Sequence, residues 1–300
     1  MNRFLGFIWM ALLPCHFLAL FAKGQDGKPS NGSQERPSDA FGKKAQLPTG
    51  VKVQRDIVYT KADGKELKLD IYWTETPETR PGIIFIHGGG WKSGDKHEFT
   101  WYCGMFAQNG YVVTSINYRL SGEASYPAQI EDCQNAVRWM RKNAAQYKLN
   151  PEKIAAVGPS AGGHLVSLLG VKDEKDCRVQ AVVSIFGSHD LNSEQGESST
   201  GIIKFMGGAK DQKPDLWKDA CASTHITEDD PPFLLVHGDK DTTVPLSQSE
   251  NFLKNLKAKG VEAELVVVKG AGHGFSGRDI TPSLSEIDQK VLNFLAKHLK

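Results

Sequence analysis

Ser160 stands in the run Gly158-Pro159-Ser160-Ala161-Gly162, a G-x-S-x-G spacing that carries a hydroxyl on a sharp turn. Glycines are needed there because a strand and a helix must pass in close contact on either side of the serine, leaving its hydroxyl exposed. A free hydroxyl is a poor nucleophile. It needs an imidazole to take its proton, and the imidazole needs a carboxylate to fix its tautomer and stabilise the imidazolium. Both partners occur further along: Gly270-Ala271-Gly272-His273-Gly274-Phe275 offers one imidazole, and His237-Gly238-Asp239-Lys240-Asp241 offers two carboxylates. Asp241 is read as the orienting acid. Asp239, nearer the preceding apolar run, suits pinning its turn through backbone hydrogen bonds. His298, in the last helical stretch, has no such loop, and His164 is read as a packed or capping side chain.

Attack on an acyl carbon creates an oxyanion, which backbone N–H groups must meet. His87-Gly88-Gly89-Gly90-Trp91 brings three successive glycines whose amides can approach a ligand. The oxyanion hole is accordingly assigned to the N–H groups of Gly89, Gly90 and Ala161, the last being the residue after the nucleophile. His87 is read as a structural hydrogen-bonder that holds the loop. Trp91 and Phe275 are read as walls of a substrate pocket.

Each of these four stretches follows a short apolar run of the kind that strands buried on both faces require: 82–87, 153–158, 233–237 and 264–268. Similar runs at 111–116 and 179–185 complete the set, and helix-length segments lie between most of them. Residues 51–59 and 66–73 alternate instead, with Leu67, Leu69 and Ile71 on one face, and predict an antiparallel edge. Residues 130–147 predict a helix, and the last helix is expected to begin at Thr281-Pro282, a capping hydroxyl before an N1 proline. The alternation predicts an α/β class: a mostly parallel, doubly wound sheet with helices on both faces. Ligands then bind at the carboxyl ends of the strands, where all four stretches fall. Residues 187–230 break the rhythm and are expected to be an insertion near the site, with an apolar island at 202–206.

Composition narrows the partners. The 36 basic and 35 acidic side chains leave a net charge of +1, so nothing favours nucleic acid. Residues 1–24 read as a signal peptide, with Arg3 as its positive end and Ala22-Lys23-Gly24 as a small-x-small cleavage site, which predicts a secreted or periplasmic protein. A retained membrane anchor is the alternative; after signal removal no membrane association is expected. Residues 25–50, rich in Gly, Pro, Ser and charge, are read as a flexible linker, and 51–300 as the catalytic domain. Cys103, Cys133, Cys177 and Cys221 remain as buried thiols or disulfides, with no spacing that chooses between them.

The combined motifs resemble a known family. His87-Gly-Gly-Gly-Trp91, Gly158-x-Ser160-Ala161-Gly162-Gly163-His164-Leu165, His237-Gly238-x-x-Asp241-x-x-Val244-Pro245 and Gly272-His273-Gly274 are similar to those of carboxylesterases related to hormone-sensitive lipase, and more narrowly of bacterial feruloyl and acetylxylan esterases. Asn117-Tyr118-Arg119-Leu120, Pro127, Asp132 and Ala136-Val137-Arg138-Trp139 fit the same pattern. The resemblance covers about 51–300 and implies the α/β-hydrolase fold, its chain order of serine, acid and histidine, and no cofactor. The chain departs from the family at Pro159, where Asp, Glu or Gly is common, and in having no long N-terminal helical cap. The expected substrate is a carboxylic ester with a short or aryl acyl group, as a small molecule or linked to polysaccharide. A peptidase resembling prolyl oligopeptidase catalytic domains is the rival enzyme, and a catalytically dead binding module is the rival outside enzymes.

Overall fold

The computed structural model describes residues 47–172 and 174–300. The signal segment and nearly all of the linker lie outside the described residues. Eight strands form one sheet: β1 (Val51–Ala62), β2 (Lys65–Thr74), β3 (Arg80–Ile86), β4 (Val112–Ile116), β5 (Leu149–Pro159), β6 (Ala181–Ile185), β7 (Phe233–Gly238) and β8 (Ala263–Val268). Their order is β1-β2-β4-β3-β5-β6-β7-β8. β1 pairs antiparallel with β2 and β2 antiparallel with β4, while every pairing from β4 through β8 is parallel. The expected antiparallel edge on a mostly parallel α/β-hydrolase sheet is what forms.

Side-chain alternation builds two cores from one strand. In β3, fully buried along its length, Ile84 and Ile86 face one apolar layer, and Ile83 and Phe85 face the other. The first layer is closed by α2 (Ala128–Lys142), α3 (Ala161–Val171) and α7 (Ser247–Ala258), through residues such as Val137, Leu165 and Phe252. The second is closed by α1 (Thr100–Gln108) and α8 (Leu284–Leu299), through Phe106 and Leu295. Helices therefore cover both faces, as runs of Val and Ile without alternation demand. The strand order reverses between β3 and β5, and the crevice beyond their carboxyl ends is where such sheets hold ligands.

Three expectations need correction. The helix expected over 130–147 stops at Lys142, because the Asn143 side chain donates to the Trp139 carbonyl at 2.8 Å and competes with the helical pattern; residues Ala144–Tyr147 form a separate 3-10 turn. The last helix begins at Leu284, with Ser283 as its cap in a reciprocal pairing with Glu286. Thr281 is held extended by backbone bonds to Lys269, so Pro282 precedes the cap instead of opening the helix. The folded domain also reaches back before residue 51. Leu47 and Pro48 lie against Gly104 of α1, where an added Cβ would sit 2.7 Å from Pro48.

Residues 187–230 form α4 (Glu194–Ser198), α5 (Thr200–Met206) and α6 (Pro214–Asp219), three short helices beside the crevice. The apolar island becomes the buried end of α5, at Phe205 and Met206. Cys103, Cys133, Cys177 and Cys221 are all buried free thiols. No helix among the described residues is long and apolar enough to cross a membrane.

Candidate active site

Ser160 lies between β5 and α3 at φ 52°, ψ −120°, a left-handed, strained conformation for a residue with a side chain. Its flanking glycines have the reason the spacing suggested. A Cβ on Gly158 would come within 2.7 Å of the Ile86 carbonyl, and one on Gly162 within 2.1 Å of the same oxygen. The end of β3 thus passes directly under the turn. A backbone bond from Ser160 to the Ile185 carbonyl, 2.8 Å, fixes the turn on its other side.

The loops after β7 and β8 bring the other two residues to the serine. His273 Nε2 lies 3.0 Å from Ser160 Oγ, and His273 Nδ1 lies 2.7 Å from Asp241 Oδ2. Serine can donate to the imidazole while the imidazole donates to the carboxylate, the order required for a serine nucleophile. The Asp241 carboxylate is fully buried, and the His273 side chain is 24% exposed. Burial alone would raise the carboxyl pKa. Hydrogen bonding from His237 and His273, the charge of His273 and the Val244 amide outweigh it and hold the group well below the ordinary carboxylate range. Asp241 Oδ1 also accepts from the Thr243 and Val244 amides at 2.9 Å each, so one oxygen is held by backbone and the other is left for the imidazole.

Asp239 points elsewhere. Its Oδ1 accepts from the Gly270 amide at 2.7 Å, so it pins the loop that carries His273 instead of bonding only within its own turn. His237, given no role from the sequence, is a further support. Its Nδ1 meets Ser249 Oγ at 2.7 Å, and its Nε2 meets the Val244 carbonyl at 2.8 Å and Asp241 Oδ2 at 3.5 Å.

The loop after β3 turns through Gly89 at φ 97°, Gly90 at φ 58° and Trp91 at φ 58°. At Gly89 any Cβ would collide with the Ser93 carbonyl, 2.1 Å away. None of the described backbone bonds outside regular elements is donated by the Gly89, Gly90 or Ala161 amide. Ala161 opens α3, whose first amides have no acceptor within the helix. His87 is buried beneath this loop, stacked on Tyr118 at 4.3 Å with its Nδ1 2.8 Å from the Gly88 carbonyl. Burial lowers its pKa to about 4, so at neutral pH it is an uncharged structural group, as expected.

Trp91 and Phe275 are largely buried, at 6% and 4% exposure, so only a narrow edge of each is open. Trp91 stacks on Phe205 of α5 at 4.5 Å and donates its indole N–H to His164 Nδ1 at 3.2 Å. His164 in turn donates from Nε2 to the Ala220 carbonyl at 2.7 Å, and burial lowers its pKa to about 4. These contacts lock the insertion, α3 and the glycine loop together. Phe275 packs edge-on against Phe186, 5.0 Å away, which itself lies 4.7 Å from the His273 ring.

The sequence also concealed a buried ion network at the far end of the glycine loop. Lys96 is 1% exposed, and its ammonium reaches Asp70 Oδ1 at 2.7 Å, Asp56 Oδ1 at 3.1 Å and His97 Nε2 at 3.0 Å. Asp56, Asp70 and His97 are close enough to hold a metal ion. The lysine already supplies a cation among them. Its backbone amide donates to Asn117 Oδ1 and its carbonyl accepts from Ser115 Oγ, both at 2.7 Å, so the chain leaving the loop is tied to β4 and its continuation. Only a far-reaching pairing with Asp70 reveals this role, and a lysine in a polar stretch carries no local sign of it.

Known proteins are similar to this chain in sequence and in fold. The BD-FAE family matches residues 69–256. The chain is 29% identical over 243 residues to Esterase LipC of Mycobacterium tuberculosis, covering 74% of this chain and 60% of that protein; it thus spans less than two thirds of that relative's length. A truncated carbohydrate esterase from gut microbiota superposes with a TM-score of 0.71 at 28% identity, covering 82% of this chain and 96% of that one. Thermogutta terrifontis esterase 2, solved with butyrate bound, gives a TM-score of 0.67 at 29% identity, over 83% and 93% of the two chains. Since the matched region takes in well over half of the sequence, with Ser160 and Asp241 inside it, the chain belongs to the BD-FAE family.

Proposed function

We propose that this chain is an exported carboxylic ester hydrolase that works through an acyl-enzyme on Ser160. The observation that carries the reading is the unbroken path from Ser160 Oγ through His273 to Asp241, at 3.0 and 2.7 Å. In this mechanism His273 Nε2 takes the serine proton as Oγ bonds to the acyl carbon. The oxyanion is met by the amides of Gly89, Gly90 and Ala161. His273, its positive charge stabilised by Asp241, then returns the proton to the departing alcohol. Water repeats the sequence to release the acid, with the same imidazole as base. Neither half needs a metal or cofactor.

A short acyl or aryl-acyl group is the proposed acid, and a sugar hydroxyl is a proposed alcohol. Supporting this are the butyrate bound in one structural relative and the carbohydrate esterase named for another. The narrow exposed edges of Trp91 and Phe275 offer little surface to a long chain. Export is proposed from the character of residues 1–24. The test is a panel of nitrophenyl esters from acetyl to palmitoyl, with feruloyl esters, acetylated xylan and prolyl peptide amides. Each buried methylene is worth about 0.8 kcal/mol, so kcat/KM should rise only until a short pocket is full and fall by about ten carbons. A steady rise to palmitoyl, or faster cleavage of the peptide amides, would overturn the reading.

A further inference from the structure

An open hollow of about 480 Å³ lies at the end of the sheet away from Ser160, where the turn from β2 to β3 meets the 3-10 turn before β5. That volume is within the range of about 300–1,000 Å³ common for small-molecule sites. Arg80 starts β3 and the catalytic loops leave from its other end, so at about 3.3 Å per residue the two sites are about 20 Å apart.

The charges here do not balance. Arg80 is only 8% exposed, and it donates to the hydroxyl of Thr74 at 2.6 Å and to the Thr74 carbonyl. Its Nε–H is buried without an acceptor, and no carboxylate among the described residues pairs with it. Glu75 also lines the hollow, but it is exposed and pairs with Lys52, leaving Arg80 without a counter-charge. A guanidinium withdrawn from water without a counter-charge is costly unless a ligand supplies one. Exposed Lys148 adds a second positive charge at the rim. Trp73, half-buried, meets Tyr147 edge to face at 5.2 Å and leaves ring surface in the hollow, and exposed Gln146 brings an amide able to both donate and accept.

We propose that this hollow binds a uronate unit of an acidic polysaccharide, its carboxylate on Arg80 and its ring C–H face on Trp73. A guanidinium fork pairs with a planar carboxylate as readily as with a phosphate, and it is the Trp73 ring beside it, which needs a C–H face that inorganic phosphate lacks, that selects a sugar acid. The proposal extends the esterase reading to the backbone of the substrate. A chain held here keeps its esters near the crevice and raises their effective concentration there.

Electrophoresis of the full protein through gels containing polygalacturonate, neutral xylan or polyphosphate tests it, with hydrolysis of a small soluble acetyl ester measured on the same samples. Retardation by polygalacturonate alone is expected. Loss of one charge-assisted contact in Arg80→Gln should weaken it about tenfold or more, with small-ester turnover unchanged. Lys148→Gln, at an exposed position, gives a second variant whose folding is not at risk, and it should bind severalfold more weakly. No retardation, equal retardation by polyphosphate, or wild-type binding by both variants overturns the site. Absent ester turnover in a protein that still binds polygalacturonate would instead count against the esterase reading.

Discussion

Two aspartates two residues apart, with different partners, make the residue scale the sharpest place to test this site. Asp241 faces the imidazole at 2.7 Å, and Asp239 faces a backbone amide at 2.7 Å. Asp241→Asn removes the group that fixes the His273 tautomer, and a change of this type lowered kcat about ten-thousandfold in a comparable triad. Asp239→Asn keeps an oxygen able to accept from Gly270. We therefore expect steady-state kcat to fall by about four orders of magnitude in the first variant and by less than about tenfold in the second. Equal activity in two well-folded variants would reassign the acid.

At the scale of elements, the glycine loop is held at both ends: by β3 and His87 on one side and by the Lys96–Asp70 pair on the other. Lys96→Met leaves Asp70, itself fully buried, without its closest cation, and removing one partner of a buried pair costs about 3–5 kcal/mol. Urea unfolding should read that loss. In the folded fraction, kcat should fall up to about a hundredfold while KM changes little, because the loop meets the transition state more than the bound ester. A variant as stable and as fast as the parent would show that the pair does not position the loop. This network also marks where sequence reading stops. Ser160, Asp241 and His273 were legible because the chemistry demands those types directly after apolar runs; six of the eight strands were legible from such runs and the first two from alternation. The insertion's lock through Trp91, His164 and Phe205, the docking of Leu47 and Pro48, and the cap at Ser283 depend on partners distant in the chain or on a competing extended segment. Such pairings leave no local periodicity to read.

At the scale of the whole molecule, three of the four fully buried histidines among the described residues set the response to acid. Burial lowers the pKa of His87 and His164 to about 4 and that of His189 well below its ordinary value. Unfolded histidine titrates near 6.5, so between about pH 6.5 and 5 the unfolded chain binds protons that the fold excludes. Stability is thus fully present above pH 6.5 and is lost as pH falls, by up to about 1.4 kcal/mol per unit for each group, or about 4 kcal/mol per unit for all three. Asp241, with its pKa depressed, stays ionised throughout this window and adds nothing to the slope. Urea unfolding at half-unit steps from pH 7 to 5 should show that decline, and His164→Gln should remove about one third of it. A flat profile would mean that water reaches these rings.

The central claim is that Ser160 is the nucleophile of a working triad, and intact-protein mass spectrometry after brief exposure to a fluorophosphonate tests it most directly. The parent protein should gain a single phosphonyl group, located to the peptide containing Ser160, while Ser160→Ala gains none and His273→Ala reacts orders of magnitude more slowly. A parent that stays unlabelled while folded, or one labelled equally with Ser160 replaced, would contradict it.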